Sequence, residues 1–341
     1  MTGKELMNSQ LKAAVIGVGA MGQHHTRIYD QMPSTQLVGV ADADAETGER
    51  VARLYHTVAY TDYRRLLDEA YPEVVTVAVP TRFHHQVVLD TLEAGCHVLV
   101  EKPIAATEEQ ARELIARAEA LGRKLMVGHI VRFDPAVQEL KKRLEAGELG
   151  RIFQVRCRRL GPFPARIQDV GVVIDLATHD LDLIRYLTGQ EVVRVYAETE
   201  QEVHSACEDL LIGTVRLADG TIGVLDINWL TPTKVRELTV TGERGMFLVD
   251  HLTQDLYFYE NAEANNERWS TISLLRGVSE GRMIRYPVRK YEPLQAELEA
   301  FVQAVMDDQP VPVDGRDGLV ALRLAQMLVQ SGREGRSITL G

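Results

Sequence analysis

The stretch Leu11-Lys-Ala-Ala-Val-Ile-Gly-Val-Gly-Ala-Met-Gly22 decides the fold class of this chain. It begins as a short apolar run that is typical of a buried strand, and it continues with the spacing Gly-x-Gly-x-x-Gly. In a strand–turn–helix unit the first glycine permits a tight turn, the second lets a pyrophosphate approach the backbone, and the third lets helix and strand pack closely. The helix N-terminus then offers N–H groups and a favourable dipole to phosphates. The stretch predicts a dinucleotide-binding loop with Gly17, Gly19, Ala20, Met21 and Gly22 as contacts.

An acidic residue ends the second predicted strand. Asp42 stands 20 residues after Gly22. A carboxylate at this point can accept hydrogen bonds from the ribose hydroxyls and would repel a 2′-phosphate. We therefore expect NAD as the cofactor, in preference to NADP, with Asp42 among its contacts.

Strands and helices alternate along the first part of the chain. The predicted strands cover residues 11–16, 36–41, 74–79, 97–100 and 125–127. They are short and apolar on both faces, as parallel strands between helix layers should be. From residue 192 to about 288 the chain instead predicts consecutive strands with turns, followed by helices over 293–307 and 318–331. The pattern predicts an α/β protein with an N-terminal doubly wound parallel (Rossmann) sheet and a C-terminal mixed or antiparallel sheet.

Three polar features fall at the carboxyl ends of predicted parallel strands, where doubly wound sheets bind their ligands. They are Asp42, Pro80-Thr81 and Glu101-Lys102-Pro103. We expect Pro80, Thr81 and Lys102 to contact the cofactor. A cis Lys102–Pro103 bond is one way to make the sharp turn that follows the strand.

A predicted helix over residues 173–187 carries Asp175 and His179, four residues apart and therefore on one face. Histidine is the natural proton acceptor near neutral pH, and a neighbouring carboxylate can orient it. Asp180 and Asp182 are expected to be solvated or capping groups. The glycine loop, the strand-end lysine and the Asp-x-x-x-His pattern together predict hydride transfer from an alcohol carbon.

Composition argues against several classes of function. Lys+Arg 38 against Asp+Glu 49 gives a net charge of −11, which argues against general binding to nucleic acid. No apolar run approaches the roughly 20 residues that span a bilayer, and the first residues lack a signal-peptide core. We therefore expect a cytoplasmic protein without a membrane partner. The three cysteines fit neither a disulfide framework nor a zinc site, and we expect no metal.

Longer stretches resemble the glucose–fructose oxidoreductase/inositol dehydrogenase/MocA-like (Gfo/Idh/MocA) dehydrogenases along nearly the whole chain. The matching elements are Ala14-Val-Ile-Gly-Val-Gly-Ala-Met-Gly22, Pro80-Thr-Arg-Phe-His84, Glu101-Lys-Pro103, Gly128-His-Ile-Val-Arg-Phe-Asp-Pro135, Asp175-Leu-Ala-Thr-His179 and Asp314-Gly-Arg-Asp-Gly318.

The resemblance implies an NAD-binding Rossmann domain, assigned to residues 1–130, and a substrate-binding α/β domain with a large open sheet, assigned to 131–341. The last helices are free to pack back toward the first domain. Because that sheet is often the oligomer interface in the family, we expect a homodimer or homotetramer. The resemblance further implies that Lys102, Asp175 and His179 form the catalytic set, and that Thr81, His84 and Glu101 line the cofactor site.

Within the family, residues 158–171 are most similar to nucleotide-sugar 3-dehydrogenases, especially those that act on UDP-N-acetylglucosamine. Arg158, Arg159 and Arg166 can supply a diphosphate site, because guanidinium forks suit phosphate oxygens. Pairing with surface carboxylates is the alternative. We expect oxidation of a secondary ring hydroxyl at C3 of a nucleotide sugar to a ketone. Arg158, Arg166, Asp175 and His179 are then the substrate contacts.

In this reaction His179 takes the hydroxyl proton and Lys102 favours the alkoxide, while Asp175 positions the substrate or His179. Lys102 and His179 can titrate together, so either can be the formal base. Two other functions stay open. A dehydrogenase of a free polyol or sugar, such as an inositol, would not need the arginines. A non-catalytic NAD-binding regulator on the same fold is expected to lose the lysine or the histidine.

Overall fold

The computed structural model describes residues 10–164, 170–203, 207–261 and 280–340. The chain divides into two compact units. The first contains Met1–Ile130 and Glu292–Arg323, and the second contains Val131–Tyr291 and Leu324–Gly341. The assignment of cofactor and substrate to the two parts of the chain stays a prediction.

The first unit contains a sheet of six parallel strands in the order β3-β2-β1-β4-β5-β6. The strands are β1 Leu11–Ile16, β2 Thr35–Ala41, β3 Ala59–Tyr60, β4 Val74–Val77, β5 His97–Glu101 and β6 Leu125–Gly128. This is the strand order of a dinucleotide-binding Rossmann sheet. All four residues of β4 are buried, as expected for a parallel strand covered on both faces. The predicted doubly wound parallel sheet is confirmed, and only the two-residue β3 was not expected.

Helices follow the strands closely, and several of them begin directly after a capping side chain. The helices are α1 Ala20–Gln31, α2 Ala45–Leu54, α3 Tyr63–Ala70, α4 His84–Glu93, α5 Glu108–Ala120, α6 Pro135–Glu145, α7 Thr178–Thr188, α8 Pro293–Met306 and α9 Gly315–Glu334. Asp44, Asp62, Thr107 and Asp134 each accept a hydrogen bond from a backbone N–H in the first turn of the helix that they precede. Such caps satisfy donors that the helix itself leaves unpaired.

The second unit contains a nine-stranded sheet in the order β14-β13-β12-β11-β7-β10-β9-β8-β15. Its strands are β7 Ile152–Pro162, β8 Val192–Glu200, β9 Leu210–Leu217, β10 Ile222–Asn228, β11 Leu230–Gly242, β12 Gly245–Asp250, β13 Asp255–Asn261, β14 Glu280–Tyr286 and β15 Ile338–Thr339. β7 and β10 are parallel and the other neighbouring pairs are antiparallel. The predicted mixed sheet is therefore confirmed.

The two faces of this sheet differ in burial. Val155, Cys157 and Leu238 are buried on the face that α7 covers. The opposite face carries Arg156, Arg158 and Thr239, which are exposed or half-buried. Because successive strand residues alternate between faces, neighbours in the sequence lie in different surroundings here.

Candidate active site

The glycine loop between β1 and α1 has the geometry that a dinucleotide needs. Gly17 has φ +85°, and a Cβ there would lie 2.7 Å from the carbonyl oxygen of Ala78. A Cβ on Gly22 would lie 1.8 Å from the carbonyl oxygen of Gly17, so both glycines are required by the packing itself. A Cβ on Gly19, which precedes α1, would meet no atom within 4 Å. Gly17 and Gly22 are therefore tightly packed, whereas there is free space beside Gly19. The residues of the loop fit a pyrophosphate against the helix N-terminus.

Asp42 is held beside this loop, just after β2. Its carboxylate accepts a hydrogen bond from the Val18 N–H at 2.8 Å and another from the Asp44 N–H at 3.0 Å. A carboxylate offers about four acceptor positions, so two stay available for a ribose diol. The two backbone hydrogen bonds therefore orient the Asp42 carboxylate and still leave acceptor positions for the ribose hydroxyls.

Glu101, the last residue of β5, joins the strand end to α1. Its Oε1 lies 2.9 Å from Nε2 of the buried His25. Burial alone would raise the pKa of Glu101, but the hydrogen bond with His25 and the positive charge of Lys102 outweigh it and hold that pKa below its usual value. Glu101 is therefore an anion that neighbours Lys102 in sequence and is fixed by the buried His25.

His84 connects the segments that follow β4 and β5. Its Nε2 lies 2.8 Å from the carbonyl oxygen of Val79, and its Nδ1 lies 2.8 Å from that of Pro103. Burial lowers the pKa of His84, although both carbonyl contacts oppose the shift. A neutral imidazole carries one N–H, so the ring donates to one of these carbonyls and packs between the two strand-end segments that carry the predicted cofactor contacts.

The remaining predicted contacts of the first unit lie at the same edge of the sheet. Thr81 begins a short 3₁₀ turn, Thr81–Phe83, directly after the exposed Pro80. Lys102 follows β5, is half-buried, and is joined to Pro103 by a cis peptide bond. The carboxyl edge therefore gathers Pro80, Thr81, Glu101 and Lys102 from two neighbouring strands.

In the second unit Asp175 and His179 lie on one continuous helical segment whose first part is not an α-helix. Residues Val173–Ala177 form a π-helical turn, and α7 begins at Thr178. The predicted plain helix is thus wrong at Asp175, which lies in a turn wider than that of an α-helix. Such π-turns are frequent at functional sites. Both Asp175 and His179 are half-buried.

Two buried ion pairs hold α7 in place. Nε of Arg132 donates to Asp182 at 2.7 Å, and Nε of Arg159 donates to Asp180 at 2.7 Å. All four side chains are at least nine-tenths buried. The expectation that Asp180 and Asp182 are solvated or capping groups is therefore wrong. Removing one member of such a pair leaves an uncompensated buried charge, which costs about 3–5 kcal/mol.

The structure separates the arginines that were expected to bind substrate. Arg159 lies on the face of the sheet that α7 covers. Arg158 lies on the opposite face, where it pairs with Glu237 at 2.9 Å and with Asp226 at 3.4 Å. Arg158 is therefore not brought together with Asp175 and His179, because consecutive strand residues point to opposite faces. Arg166 lies outside the described residues.

A further arginine lies on the face of the sheet that α7 covers. Arg236 on β11 is directly opposite Arg159 on β7, so both side chains lie on the face toward α7. The negative charges of Asp175 and Asp180 act on its guanidinium. No motif singled out Arg236, although the alternation of buried and exposed residues along β11 could have assigned its face.

Comparison with known proteins decides the family. Residues 11–129 match the profile of the GFO/IDH/MocA "Oxidoreductase family, NAD-binding Rossmann fold", and residues 137–248 match the GFO/IDH/MocA C-terminal domain. A UDP-N-acetylglucosamine 3-dehydrogenase of Acidithiobacillus ferrooxidans is 32% identical over 92% of this chain and 95% of its own length. This chain belongs to the GFO/IDH/MocA oxidoreductase family. The predicted family, fold class and NAD cofactor are confirmed.

Other relatives of this GFO/IDH/MocA oxidoreductase include sugar and polyol dehydrogenases. A D-glucoside 3-dehydrogenase of Escherichia coli is 28% identical over 98% of this chain and 99% of its own. The solved structure of the Acidithiobacillus ferrooxidans enzyme has a TM-score of 0.82 at 30% identity and covers 95% of this chain and 98% of that one. No described helix is long and apolar enough to cross a membrane. The described residues also contain no group of three or more His, Cys, Asp or Glu side chains arranged for a metal ion.

The chemistry of this family member can be divided between its two units. The first unit supplies a glycine loop and a carboxylate that fit NAD, which provides the hydride acceptor when bound. The same unit presents the half-buried Lys102 at the carboxyl edge of its sheet. The second unit carries the carboxylate of Asp175 and the imidazole of His179 on one helical segment. Two buried ion pairs hold that segment in place. An ammonium group such as that of Lys102 can stabilise developing negative charge, and an imidazole such as that of His179 can accept a proton.

Proposed function

We propose that this NAD-binding oxidoreductase oxidises a secondary ring hydroxyl of a sugar to a ketone, and that its substrate is a nucleotide sugar such as UDP-N-acetylglucosamine, oxidised at C3. In this proposal residues 1–130 bind the cofactor and residues 131–341 bind the substrate. The observation that supports it is that this NAD-binding chain carries both a half-buried strand-end lysine, Lys102, and a helical segment with a carboxylate and an imidazole, Asp175 and His179. That combination provides both a cation and a base for one hydroxyl.

In the proposed reaction His179 takes the hydroxyl proton, and the ammonium of Lys102 hydrogen-bonds the oxygen that becomes negative. Asp175 positions the substrate or the imidazole. A cation at the developing alkoxide stabilises the transition state more than the neutral alcohol, which is what lowers the barrier. The hydride then leaves a carbon whose oxygen already carries part of the charge.

The C3 regiochemistry and the nucleotide sugar are supported by the relatives. The UDP-N-acetylglucosamine 3-dehydrogenase shares 32% identity over 92% of this chain, and the D-glucoside 3-dehydrogenase shares 28% over 98%. Both names specify oxidation at position 3 of a sugar. The higher sequence identity of the first relative favours the nucleotide sugar over the glucoside.

A substrate panel tests the proposal. Purified protein with NAD is assayed for NADH formation with UDP-N-acetylglucosamine, UDP-glucose, free N-acetylglucosamine, a methyl glucoside and myo-inositol. We expect the largest kcat/KM for a UDP-sugar, and a product with a ketone at C3. Turnover confined to myo-inositol or free sugars would reject the nucleotide-sugar assignment while leaving the dehydrogenase intact.

A free polyol is the second candidate, because an inositol 2-dehydrogenase of Saccharopolyspora erythraea is 31% identical over 65% of this chain. Its lower coverage makes it the weaker analogy. Cofactor binding without oxidation of any compound in the panel would instead favour a non-catalytic regulator. Retention of both Lys102 and His179 argues against that alternative.

A further inference from the structure

Two arginines stand side by side on the face of the second sheet that α7 covers. Arg159 on β7 and Arg236 on β11 are register partners. Like charges directly opposite each other on neighbouring strands destabilise a sheet. Their presence in a partly desolvated place therefore calls for negative charge that offsets the repulsion.

The charges on the protein offset only part of this repulsion. Arg159 is bound to Asp180 through Nε at 2.7 Å, but its Nη2 is buried and makes no hydrogen bond within the described residues. Oδ2 of Asp180 is equally buried and unbonded there. Burial and the charge of Arg159 lower the pKa of Arg236, whereas Asp180 and Asp175 act in the opposite direction. A guanidinium in this position gains from any further anion that reaches it.

Arg236 is held by backbone carbonyls. Its Nη1 donates to the carbonyl oxygens of Leu160 at 2.6 Å and Val235 at 2.7 Å. Gly161 lies near this guanidinium, and an added Cβ there would still be 3.8 Å from Nη1 and Nη2 of Arg236. β11 leaves its regular pairing with β7 between Leu230 and Val235, directly before Arg236. Bulges of this kind re-aim side chains next to active sites. The guanidinium of Arg236 is thus held at Nη1, is half-buried, and lies next to Gly161, which has no side chain.

We propose that Arg236, supported by Arg159, recognises an anionic group of the substrate, a diphosphate oxygen in the case of a nucleotide sugar. This inference rests on the proposed function and deepens it, since it names the residue that selects charged over neutral sugars. It replaces Arg158, which lies on the other face of the same strand pair and is already neutralised by Glu237 and Asp226. A planar guanidinium can bind two phosphate oxygens at once, which gives both affinity and orientation.

The kinetic test compares Arg236→Gln with Arg158→Gln. The second variant is a matched control, because it removes the same charge from the neighbouring strand on the opposite face. We expect Arg236→Gln to raise KM for the UDP-sugar by about tenfold or more, with kcat at saturation within about threefold of wild type. Arg158→Gln should leave KM unchanged. Activity toward neutral sugars should be equal in all three proteins. Equal UDP-sugar KM values in wild type and Arg236→Gln would overturn the inference without touching the proposed dehydrogenase activity.

A binding test keeps the inference falsifiable if no nucleotide sugar is turned over. Melting temperatures are measured with saturating NAD, which occupies the glycine loop, and with added UDP, pyrophosphate or glucuronate. A ligand of the native state raises its melting temperature by mass action. We expect stabilisation of wild type and Arg158→Gln but not of Arg236→Gln. UDP and pyrophosphate acting alone would identify a diphosphate, and glucuronate acting alone would identify a carboxylate. Absence of any shift in wild type, or equal shifts in all three proteins, would reject the anion site.

Discussion

Lys102 is a half-buried cation that directly follows an anionic strand end. Glu101 stays ionised because His25 and Lys102 outweigh its burial, so the pair at residues 101 and 102 carries both charges. His84 binds the carbonyl of Pro103 and thereby fixes the backbone on the other side of the lysine. Glu101, His25 and His84 therefore fix the backbone around Lys102, and none of the three needs to touch substrate to do so.

We predict that Lys102→Ala and His179→Ala each lower turnover by about 10²–10⁴, the usual range for loss of a general acid or base. NAD affinity should persist in both, because the glycine loop and Asp42 are unchanged. Turnover is measured as NADH formation under saturating substrate, and NAD binding by titration calorimetry. Near-normal turnover in both variants would contradict the catalytic assignment.

Glu297 on α8 is a carboxyl group in the interior of the first unit. It is fully buried, and neither of its oxygens has a hydrogen-bond partner within the described residues. Burial, followed by the charge of Glu101, raises its pKa well above the usual value. The folded state therefore holds Glu297 protonated at a pH where the unfolded chain has ionised it. Its contribution to stability is complete below the unfolded pKa and is lost progressively as pH rises toward the folded pKa.

Glu297→Gln tests this linkage. We predict that the unfolding free energy of the variant, relative to that of wild type, increases with pH. The increase should be up to about 1.4 kcal/mol for each pH unit above the unfolded pKa of Glu297, because Gln cannot ionise. Urea unfolding at pH 5, 6, 7 and 8 measures the difference. Any fixed cost of the buried amide is the same at every pH, so a difference that does not change with pH would refute the protonated Glu297.

At the scale of elements, the β1–loop–α1 unit combines packing and binding in one short segment. Gly22 is required because the loop carbonyl of Gly17 occupies the space of a Cβ, whereas the space at Gly19 is open. The same residue type thus serves two different purposes three positions apart. A substitution at each glycine separates those purposes.

We predict that Gly19→Ala keeps the melting temperature close to wild type but weakens NAD binding about tenfold or more, since the new methyl group occupies the surface that the pyrophosphate approaches. Gly22→Ala should lower the melting temperature and abolish NAD binding, because a Cβ 1.8 Å from a carbonyl oxygen forces the helix away from the strand. Thermal unfolding and NAD titration are measured for both. Unchanged NAD affinity in Gly19→Ala would place the cofactor elsewhere.

At the scale of the whole molecule, the face of the second sheet opposite α7 carries apolar side chains among its charged ones. Ile212 is 46% exposed, Tyr259 39% and Met283 60%. The strand register places all three on this face together with Arg158 and Glu237. Exposed apolar residues on a broad, regular surface are typical of an interface between protein chains.

We propose that this face joins copies of the chain into a homodimer or homotetramer. Ile212→Asp is expected to lower the mass in solution, measured by light scattering after gel filtration, because a carboxylate in the centre of the interface would be desolvated. Leu54→Asp is the control, since Leu54 is 62% exposed on α2 of the other unit and should not affect the mass. A monomeric wild-type protein would contradict the proposal.

Local patterns were sufficient for most of the fold. Short apolar runs, capping residues and the glycine spacing depend on contacts within a few positions of the chain. They predicted five of the six parallel strands to within two residues at each end. The sequence patterns did not predict the two-residue β3 or the π-turn at Asp175. A strand this short and a widened turn produce no periodic pattern of apolar residues.

The sequence by itself determined the Rossmann class, the NAD loop and the identities of Lys102, Asp175 and His179 as candidates. Only the tertiary structure decided which charges meet. His25 and Glu101 are 76 positions apart, Arg132 and Asp182 are 50 apart, and each pair is joined by a hydrogen bond. The same long-range pairing put Arg159 beside Arg236 and left Arg158 on the far face. The physical reason is that residue type alone gives the charge of a side chain. Whether that side chain is buried, and which group it pairs with, depends on strand register and helix packing.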